Sequence, residues 1–334
     1  MIVLMRKSFH RSRIRFVRKS QAEDDAILQA ASKMEGKLAK AFIDAVDHIK
    51  GTVAMDKLVE AFASGDSNMV LSVLALDKSF TDTLAGKGLE AGIKSFRDAI
   101  QSTYSSGATA GISKLPSTVS TDLSFNLMSR ESIEFLQNYE FGLIRDLSQQ
   151  ATDSIRQILI RSFQEGGHPT QQARQIRDVI GLTPNQEQAV ASFRDALKSG
   201  DMTNALGRAL RDGRYDRTLE AHRAAGTVPS DTAADKMVSR YAERYVNHRA
   251  TTIARTESVR ASNMGQRQVW DQAQKQGLLA HDQQRVWITS GDDRTCEICE
   301  ELDGETAGLN EEFDTGIMEP PDPHPDCRCT TALA

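Results

Sequence analysis

The architecture of this chain depends on the stretch Val286-Trp287-Ile288-Thr289 and on the two cysteine motifs that follow it, Cys296-Glu297-Ile298-Cys299 and His324-Pro325-Asp326-Cys327-Arg328-Cys329. All four cysteines of the 334 residues lie in these two motifs. The residues before the first motif are rich in β-formers and end at a turn, so we expect a strand beside a compact sulfur cluster. A chain that gathers its thiols in one segment uses sulfur for a local purpose.

The cysteine motifs have the donor set of a zinc site. Side chains two residues apart in an extended segment point the same way, which brings Cys327 and Cys329 to one side. A turn between Cys296 and Cys299 would let both sulfurs face one ion. Four soft donors suit tetrahedral zinc, and His324 competes for the fourth position, which would give a site of three cysteines and one histidine. Such an ion would be structural, because the β unit around it has few apolar residues to hold it together.

Two alternatives for the cysteines stay open, namely disulfide or redox-variable pairing and no bridging at all. The sequence indicates a reducing compartment, where paired thiols are more often metal ligands than disulfides. The basic run follows the short apolar start Met1–Met5, which is not the order of a signal peptide. No stretch approaches the roughly 18 apolar residues of a membrane span.

Common catalytic signatures are missing from the sequence. Zinc deaminases place His-x-Glu ahead of Pro-Cys-x-x-Cys, and this chain contains no His-x-Glu. Cys296 or Cys299 with His324 could act as a nucleophile and its base, but four clustered thiols favour ligation. An enzyme in this region, a transferase or a nuclease, would use Arg255, Glu257 and the Cys/His cluster as its polar site. Those groups would then converge on a concave pocket.

Charge is distributed unevenly along the chain, although the net charge is only −5. Residues 1–22 contain seven basic side chains and no acid, whereas residues 292–334 contain thirteen Asp and Glu against two Arg. Clustered basic groups release counterions when they bind nucleic acid phosphates, so the arm is predicted to contact DNA or an acidic protein surface. The alternative is a solvated terminus. A free-standing zinc-dependent nucleic-acid module is disfavoured because the cysteines lie in acidic sequence. The basic side chains of the arm are Arg6, Lys7, Arg11, Arg13, Arg15, Arg18 and Lys19.

Composition and periodicity predict a mainly α fold, with elongated helical N-terminal and middle regions and a small C-terminal α+β domain that contains a short antiparallel β element. Hydrophobic residues make up 39% of the chain and aromatic residues only 6%, which suits helices packed through Ala, Leu and Ile. Residues 105–118 are small and polar and are predicted to be a linker, and residues 207–234 a mobile connector. The predicted divisions are a basic arm (1–22), an N-terminal helical region (23–115), a middle helical region with connector (116–234) and the C-terminal domain (235–334).

Several short motifs, taken in order, resemble the Mu F-like family of phage head morphogenesis (minor capsid) proteins. The resemblance covers roughly residues 130–334 and is most specific from Arg255 onward. The Gly181-Leu182-Thr183-Pro184 helix start also looks like the family's helical part. The motifs that carry the resemblance are Arg255-Thr256-Glu257 with Asn263 and Gly265, Trp287-Ile288-Thr289, Asp293-Arg294-Thr295-Cys296-x-x-Cys299, Leu302-Asp303-Gly304 and His324-Pro325-Asp326-Cys327-Arg328-Cys329.

The resemblance implies a non-enzymatic virion protein made in the cytoplasm of a bacterial host. Members of the family are minor components of tailed-phage heads that act in head assembly near the portal or the packaged DNA, and some affect genome delivery. The implied partners are the portal protein, other head proteins and double-stranded DNA, with no membrane anchor and with several copies per virion. The implied location is the head interior or the neck at the portal vertex. The basic arm is then expected to contact DNA or the portal.

Overall fold

The structure is a computed structural model that describes residues 25–87, 95–127, 129–165, 168–289, 291 and 295–334. The basic arm at residues 6–19 and the motif residue Asp293 lie outside the described residues. The helices are α1 (Ala26–Thr52), α2 (Met55–Ser64), α3 (Ser67–Leu74), α4 (Leu76–Leu84), α5 (Phe96–Ser113), α6 (Ser117–Asp122), α7 (Arg130–Glu165), α8 (Pro169–Val179), α9 (Pro184–Ser199), α10 (Met202–Leu206), α11 (Asp216–Ala225), α12 (Asp231–Lys275) and α13 (Glu297–Leu302). The strands are β1 (Gln284–Ile288), β2 (Thr306–Gly308) and β3 (Thr330–Leu333).

The predicted mainly α fold with a small C-terminal β element is confirmed. The two longest helices lie where the sequence pattern predicts helix, and one of them is longer than predicted. Helix α7 is one helix of 36 residues, where the spacing predicts two helices around residues 133–147 and 155–163. Helix α12 has 45 residues and contains the predicted motif residues Arg255 and Glu257. No described helix has the length and apolar character that a membrane span requires.

The predicted linker at residues 105–118 is wrong, because residues 105–113 form the second half of α5. The small residues of this segment allow α5 to cross α12 at a short distance. A Cβ on Gly265 of α12 would lie 2.7 Å from the backbone nitrogen of Ala108 and 3.1 Å from the carbonyl carbon of Gly107. A Cβ on Gly111 would lie 2.9 Å from the Cα of Gln266. Two helix backbones approach this closely only where side chains are absent, so glycine here serves packing rather than flexibility.

The connector predicted at residues 207–234 also contains regular structure, including α11 and a 3-10 turn at Gly213–Tyr215. The helix start predicted at Pro184 is confirmed. The Thr183 side chain accepts a hydrogen bond from the Gln186 backbone N–H, and the Gln186 side chain accepts one from the Thr183 N–H. This capping box satisfies two donors of the first helical turn, and Gly200 ends the helix in the left-handed conformation.

The C-terminal sheet has the strand order β2-β1-β3, and both pairings are antiparallel. Val286 of β1 is opposite Thr306 of β2 and Ala332 of β3. The central strand β1 is the one that the Val-Trp-Ile run predicts. The edge strands are short, so the sheet gains little from its own ladder and depends on what packs against it.

The described residues form two compact units. The first comprises the described parts of Met1–Lys40, Arg97–Glu140 and Thr251–Ala334, and the second those of Ala41–Phe96 and Phe141–Ala250. In the first unit, Trp270 belongs to one buried apolar cluster and Trp287 to another. In the second, the rings of Phe193 and Tyr241 lie 4.5 Å apart, and the Arg249 guanidinium lies over Phe42. The four divisions predicted from the sequence stay a prediction of domain organisation.

Candidate metal centre

The first cysteine motif forms the start of helix α13 rather than an open turn. Cys296 is the residue before the helix, and its sulfur accepts a hydrogen bond from the Cys299 backbone N–H at 3.4 Å. Cys299 lies one turn later and is buried. A cysteine at the helix start and another three residues on lie on one side of the helix. The local fold therefore brings the two sulfurs together, as the Cys-x-x-Cys spacing predicts.

The second motif brings its donors to the same place. The Cys299 sulfur lies 3.3 Å from His324 Nε2 and 3.8 Å from the Cys327 sulfur. Two groups of donors fall within 4.8 Å of one another, Cys296 with Cys299 and His324, and Cys299 with Cys327 and Cys329. Cys299 belongs to both groups. The structure thus gathers all five predicted metal ligands around one buried sulfur.

His324 is held in the orientation that metal binding requires. Its Nδ1 lies 2.7 Å from the Pro325 carbonyl oxygen, an acceptor that requires a proton on Nδ1. In the neutral imidazole the lone pair is then on Nε2, which faces the Cys299 sulfur. A hydrogen bond that fixes the tautomer of a histidine in this way is the usual outer contact of a metal-ligating imidazole.

The thiols of Cys299, Cys327 and Cys329 are shifted to different pKa values within the cluster. Hydrogen bonds from Cys299 and Cys329 lower the pKa of the Cys327 thiol. The contact with Cys327, together with burial, raises the pKa of Cys299, against the opposing effect of Cys329. Contacts with Cys299 and Cys327, together with burial, raise the pKa of Cys329. A divalent cation would favour the thiolate form of each sulfur that binds it.

The donor set fits zinc. Two sulfurs that each lie about 2.3 Å from one tetrahedral ion are about 3.8 Å apart, and Cys299 and Cys327 are separated by 3.8 Å. That distance is well beyond a disulfide bond of about 2.05 Å, and all four cysteines are free thiols in this structure. Sulfur and imidazole donors select zinc over the oxygen-preferring cations. The cluster is thus able to bind a metal ion.

Two motif residues lie beside the cysteine and histidine cluster. Trp287 forms the apolar floor of the cluster, and Gly304 lies in the turn after α13. Trp287 is fully buried and packs edge-on against the Phe313 ring, with 5.3 Å between centroids. It shares one apolar cluster with Cys299, Cys327 and Cys329. Gly304 has a φ of 89°, and its N–H donates to the Trp287 carbonyl at 3.0 Å. A left-handed residue at this position favours glycine, which explains the Leu-Asp-Gly turn after α13.

Helix α12 binds the second cysteine motif along its polar face. The Asn263 side chain donates to the Cys329 carbonyl at 3.4 Å and accepts from the Thr330 hydroxyl at 2.7 Å. Gln266 donates to the Thr331 carbonyl at 2.8 Å. Arg255 pairs with Asp326 at 3.2 Å. Arg255 and Asn263 of the helix motif therefore contact the second cysteine motif, although the two motifs lie far apart in sequence.

Glu257 does not join the metal cluster. Its carboxylate accepts a hydrogen bond from the Tyr139 hydroxyl and pairs with Arg260 at 3.3 Å, and burial raises its pKa. Tyr139 and Arg260 line a cavity of about 340 Å³ with Met264, Arg267, Asp271, Met318, Glu319, Pro320 and Asp322. Neither Arg255 nor any of the cysteines is among the described residues that line it. The convergence that an enzyme built on Arg255, Glu257 and the Cys/His cluster requires is not found in the described part of the chain.

A buried ion network beneath the sheet was missed by the sequence analysis. Arg285 on β1 is fully buried, donates to the carbonyls of Glu311 and Met318 at 2.6 and 2.8 Å, and lies 3.3 Å from Glu319. Arg267 on α12 pairs with Glu319 at 2.6 Å. Burial raises the pKa of Glu319 and lowers that of Arg285. An arginine at an inward position of a short strand was the available signal.

The fold and the site define a helical protein whose C-terminal α+β unit is closed by a cysteine and histidine cluster packed against one long helix. Residues 187–332 match the model of the family described as Phage Mu protein F like protein. This part of the chain, which contains α12, most of the sheet and all five donor residues, is thus similar to the Mu F-like family of phage head morphogenesis proteins. No curated protein and no solved structure matches the chain.

Proposed function

We propose that this protein is a minor head protein of a tailed bacteriophage that acts in head assembly near the portal and the packaged DNA, in genome packaging or delivery. The observation that carries the proposal is the family match over residues 187–332, because it covers the long helix and the cluster that helix holds. The protein has a non-enzymatic role in the virion, at the head interior or the portal vertex, where several copies contact the portal and other head proteins.

The proposed role is tested by asking where the chain is found in assembled particles. Heads purified from cells that express the phage genes, with this chain carrying a small tag, are treated with a lysine-reactive crosslinker and analysed by mass spectrometry. We expect the chain to copurify with mature heads and to crosslink to the portal. A chain that is absent from purified heads, or that is released from them by mild salt without loss of DNA content, overturns the proposal.

The cluster is proposed to hold a structural zinc ion, taken from the donors Cys296, Cys299, His324, Cys327 and Cys329. The support is the soft donor set, the 3.8 Å sulfur separation and the histidine tautomer. A bound zinc ion supplies a crosslink between α13 and the segment before β3. The chain supplies the rigid frame that holds the donors, through the apolar floor at Trp287 and the polar face of α12.

The basic arm is proposed to contact DNA or the portal. Its seven basic side chains, Arg6 to Lys19, lie outside the described residues, so the proposal depends on charge alone. Replacement of Arg11, Arg13 and Arg15 by glutamate is expected to weaken DNA association, with the largest loss at low salt, because clustered cations release counterions on binding. The matched control reverses three exposed cations elsewhere, Arg217, Arg223 and Lys236. Unchanged association with both DNA and the portal contradicts a role for the arm.

An enzymatic role of the C-terminal unit, as a transferase or a nuclease, is the alternative. The cavity beside Tyr139 and Arg260 is the observation in its favour, because buried carboxylates beside a cavity occur at catalytic sites. It predicts that Glu257→Gln leaves head assembly intact while it abolishes an activity of the purified protein, for example cleavage of double-stranded DNA with added Mg²⁺. The non-enzymatic proposal predicts no turnover that depends on Glu257.

A further inference from the structure

Asp326 occupies an unusual position between the donors His324 and Cys327. Its φ is 62°, a left-handed conformation that costs free energy for a residue with a side chain, although Asp and Asn tolerate it better than others. The residue lies two positions after His324 and directly before Cys327. Its backbone angles therefore set the relative directions of these two donor side chains.

One face of helix α12 holds Asp326 in this conformation. The Asp326 backbone N–H donates to the Thr256 hydroxyl at 3.0 Å. Its carboxylate accepts from Arg255 at 3.2 Å and from the Thr252 hydroxyl at 3.4 Å. Residues 252, 255 and 256 follow the three-or-four spacing of one helix face. Three hydrogen bonds between a rigid helix and one residue can offset the cost of that residue's backbone conformation.

We infer that Thr252, Arg255 and Thr256 are positioning residues of the metal centre, which hold Asp326 so that His324 and Cys327 point at the same ion. The inference rests on the proposed zinc site and gives a role to the Arg-Thr pair of the helix motif. According to this inference, the binding of Asp326 to α12 and the binding of the metal ion are thermodynamically coupled. Coupling of this kind is reciprocal, so the metal also stabilises the docked segment.

Arg255 extends the coupling to a third element. Its guanidinium lies 3.5 Å from Glu35 on α1 as well as 3.2 Å from Asp326. One cation thus links α1, α12 and the metal-binding segment within the same compact unit. When the segment leaves α12, Arg255 loses one of its two carboxylate partners.

The test measures zinc affinity of the full chain by competition with a chromophoric chelator. The variants are Thr256→Val, which removes the hydroxyl and keeps the shape, Arg255→Met and Asp326→Gly. Loss of an outer contact of a metal ligand typically weakens metal affinity by about 10- to 100-fold. We expect a loss of that size for Thr256→Val and Arg255→Met. Asp326→Gly is expected to lose affinity as well, because glycine fits the backbone angle but lacks the carboxylate that Arg255 and Thr252 hold.

The matched control is Arg240→Met, because Arg240 lies on the same helix and pairs with Glu243 at 2.6 Å at an exposed position. It is expected to bind zinc as the unchanged chain does.

A cobalt-loaded sample of each variant gives a second readout, because the absorption spectrum reports the ligand geometry. Hydrogen exchange at residues 252–256, measured with and without zinc, gives a third readout that does not depend on the zinc affinity. We expect zinc to slow exchange there in the unchanged chain and to have little effect in Thr256→Val.

The outcomes separate this inference from the zinc proposal. Zinc binding by the unchanged chain together with equal affinity and equal spectra in all three variants overturns the positioning role and leaves the zinc site standing. An unchanged chain that binds no zinc overturns both. A variant that fails to fold without metal is replaced by Thr252→Val, which removes only the longest of the three hydrogen bonds.

Discussion

Glu319 and Arg267 form an ion pair with 2.6 Å between Oε1 and the guanidinium nitrogen, and both side chains are less than 10% exposed. Arg285 on β1 lies 3.3 Å from the same carboxylate oxygen. Two buried cations thus share one buried anion beneath the C-terminal sheet. Burial raises the pKa of Glu319 and lowers that of Arg285, so removal of one partner leaves an uncompensated buried charge.

Replacement of Glu319 by Gln is expected to destabilise the chain strongly. It leaves Arg267 and Arg285 buried without their common carboxylate, and loss of one partner of a buried pair typically costs about 3–5 kcal/mol. The measurement is the free energy of unfolding from urea denaturation. The matched control is Glu134→Gln, because Glu134 pairs with Arg130 at an exposed position, where about 0–1 kcal/mol is typical. If the two substitutions lower the free energy of unfolding equally, the buried network contributes no more to stability than the exposed ion pair does.

Replacement of Gly265 by Ala is expected to disrupt the crossing of α5 and α12. The added Cβ would lie 2.7 Å from the Ala108 nitrogen, a backbone atom that cannot move without displacing its helix. Overpacking of this kind costs about 1–3 kcal/mol or more. Gly36→Ala in α1 is the control, since a Cβ there meets nothing within 4 Å and alanine gains about 0.5–1 kcal/mol over glycine in a helix. Thermal unfolding of both variants tests the contrast, and a stable Gly265→Ala chain contradicts it.

The buried Glu257 makes stability depend on pH. Burial raises its pKa above the ordinary 4.5, against the opposing effects of Arg260 and Tyr139, while Asp322 acts in the same direction as burial. The native state therefore binds this proton more tightly than the unfolded state does. The stabilisation of the native state by this proton is fully present below about pH 4.5 and is lost as the pH rises through the raised pKa of Glu257.

Glu257→Gln removes this contribution, because the amide does not titrate. We expect the free energy of unfolding of the unchanged chain to fall relative to that of Glu257→Gln as the pH rises from about 4.5 towards neutrality. Both are measured in EDTA, since zinc binding itself strengthens as thiols deprotonate. A difference between the two proteins that stays constant with pH sinks the prediction.

Replacement of Cys299 by Ser is expected to abolish metal binding, because Cys299 is the donor common to both groups in the cluster. Loss of Cys329 leaves the group of Cys296, Cys299 and His324 intact, and loss of His324 leaves the group of Cys299, Cys327 and Cys329 intact. Those variants are expected to keep one bound ion with lower affinity. Metal content by mass spectrometry after dialysis, with thermal unfolding before and after chelation, provides the measurement. Full zinc content in Cys299→Ser places the ion elsewhere.

Much of the fold could be predicted because its signals are local. The three-or-four spacing of apolar residues gives the helices, and the Gly181 to Pro184 signature gives the start of α9 with its cap. The Val286 to Thr289 run gives the central strand. The small residues of α5 misled the sequence analysis, since a linker and a tight helix crossing both favour Gly, Ala and Ser. Only the partner helix distinguishes the two, and the residues of that helix that contact α5 lie about 155 residues further along the chain.

The sequence by itself determined which atoms are available to a metal: four thiols and one imidazole in two short motifs, which resemble those of the Mu F-like family. It could not determine what holds them. The left-handed Asp326 bound by Arg255, 71 residues earlier, and the carboxylate of Glu319 shared by Arg267 and Arg285 are contacts between distant segments. Spacing along a chain specifies periodicity and local turns, whereas such contacts form only after the helices and the sheet have packed.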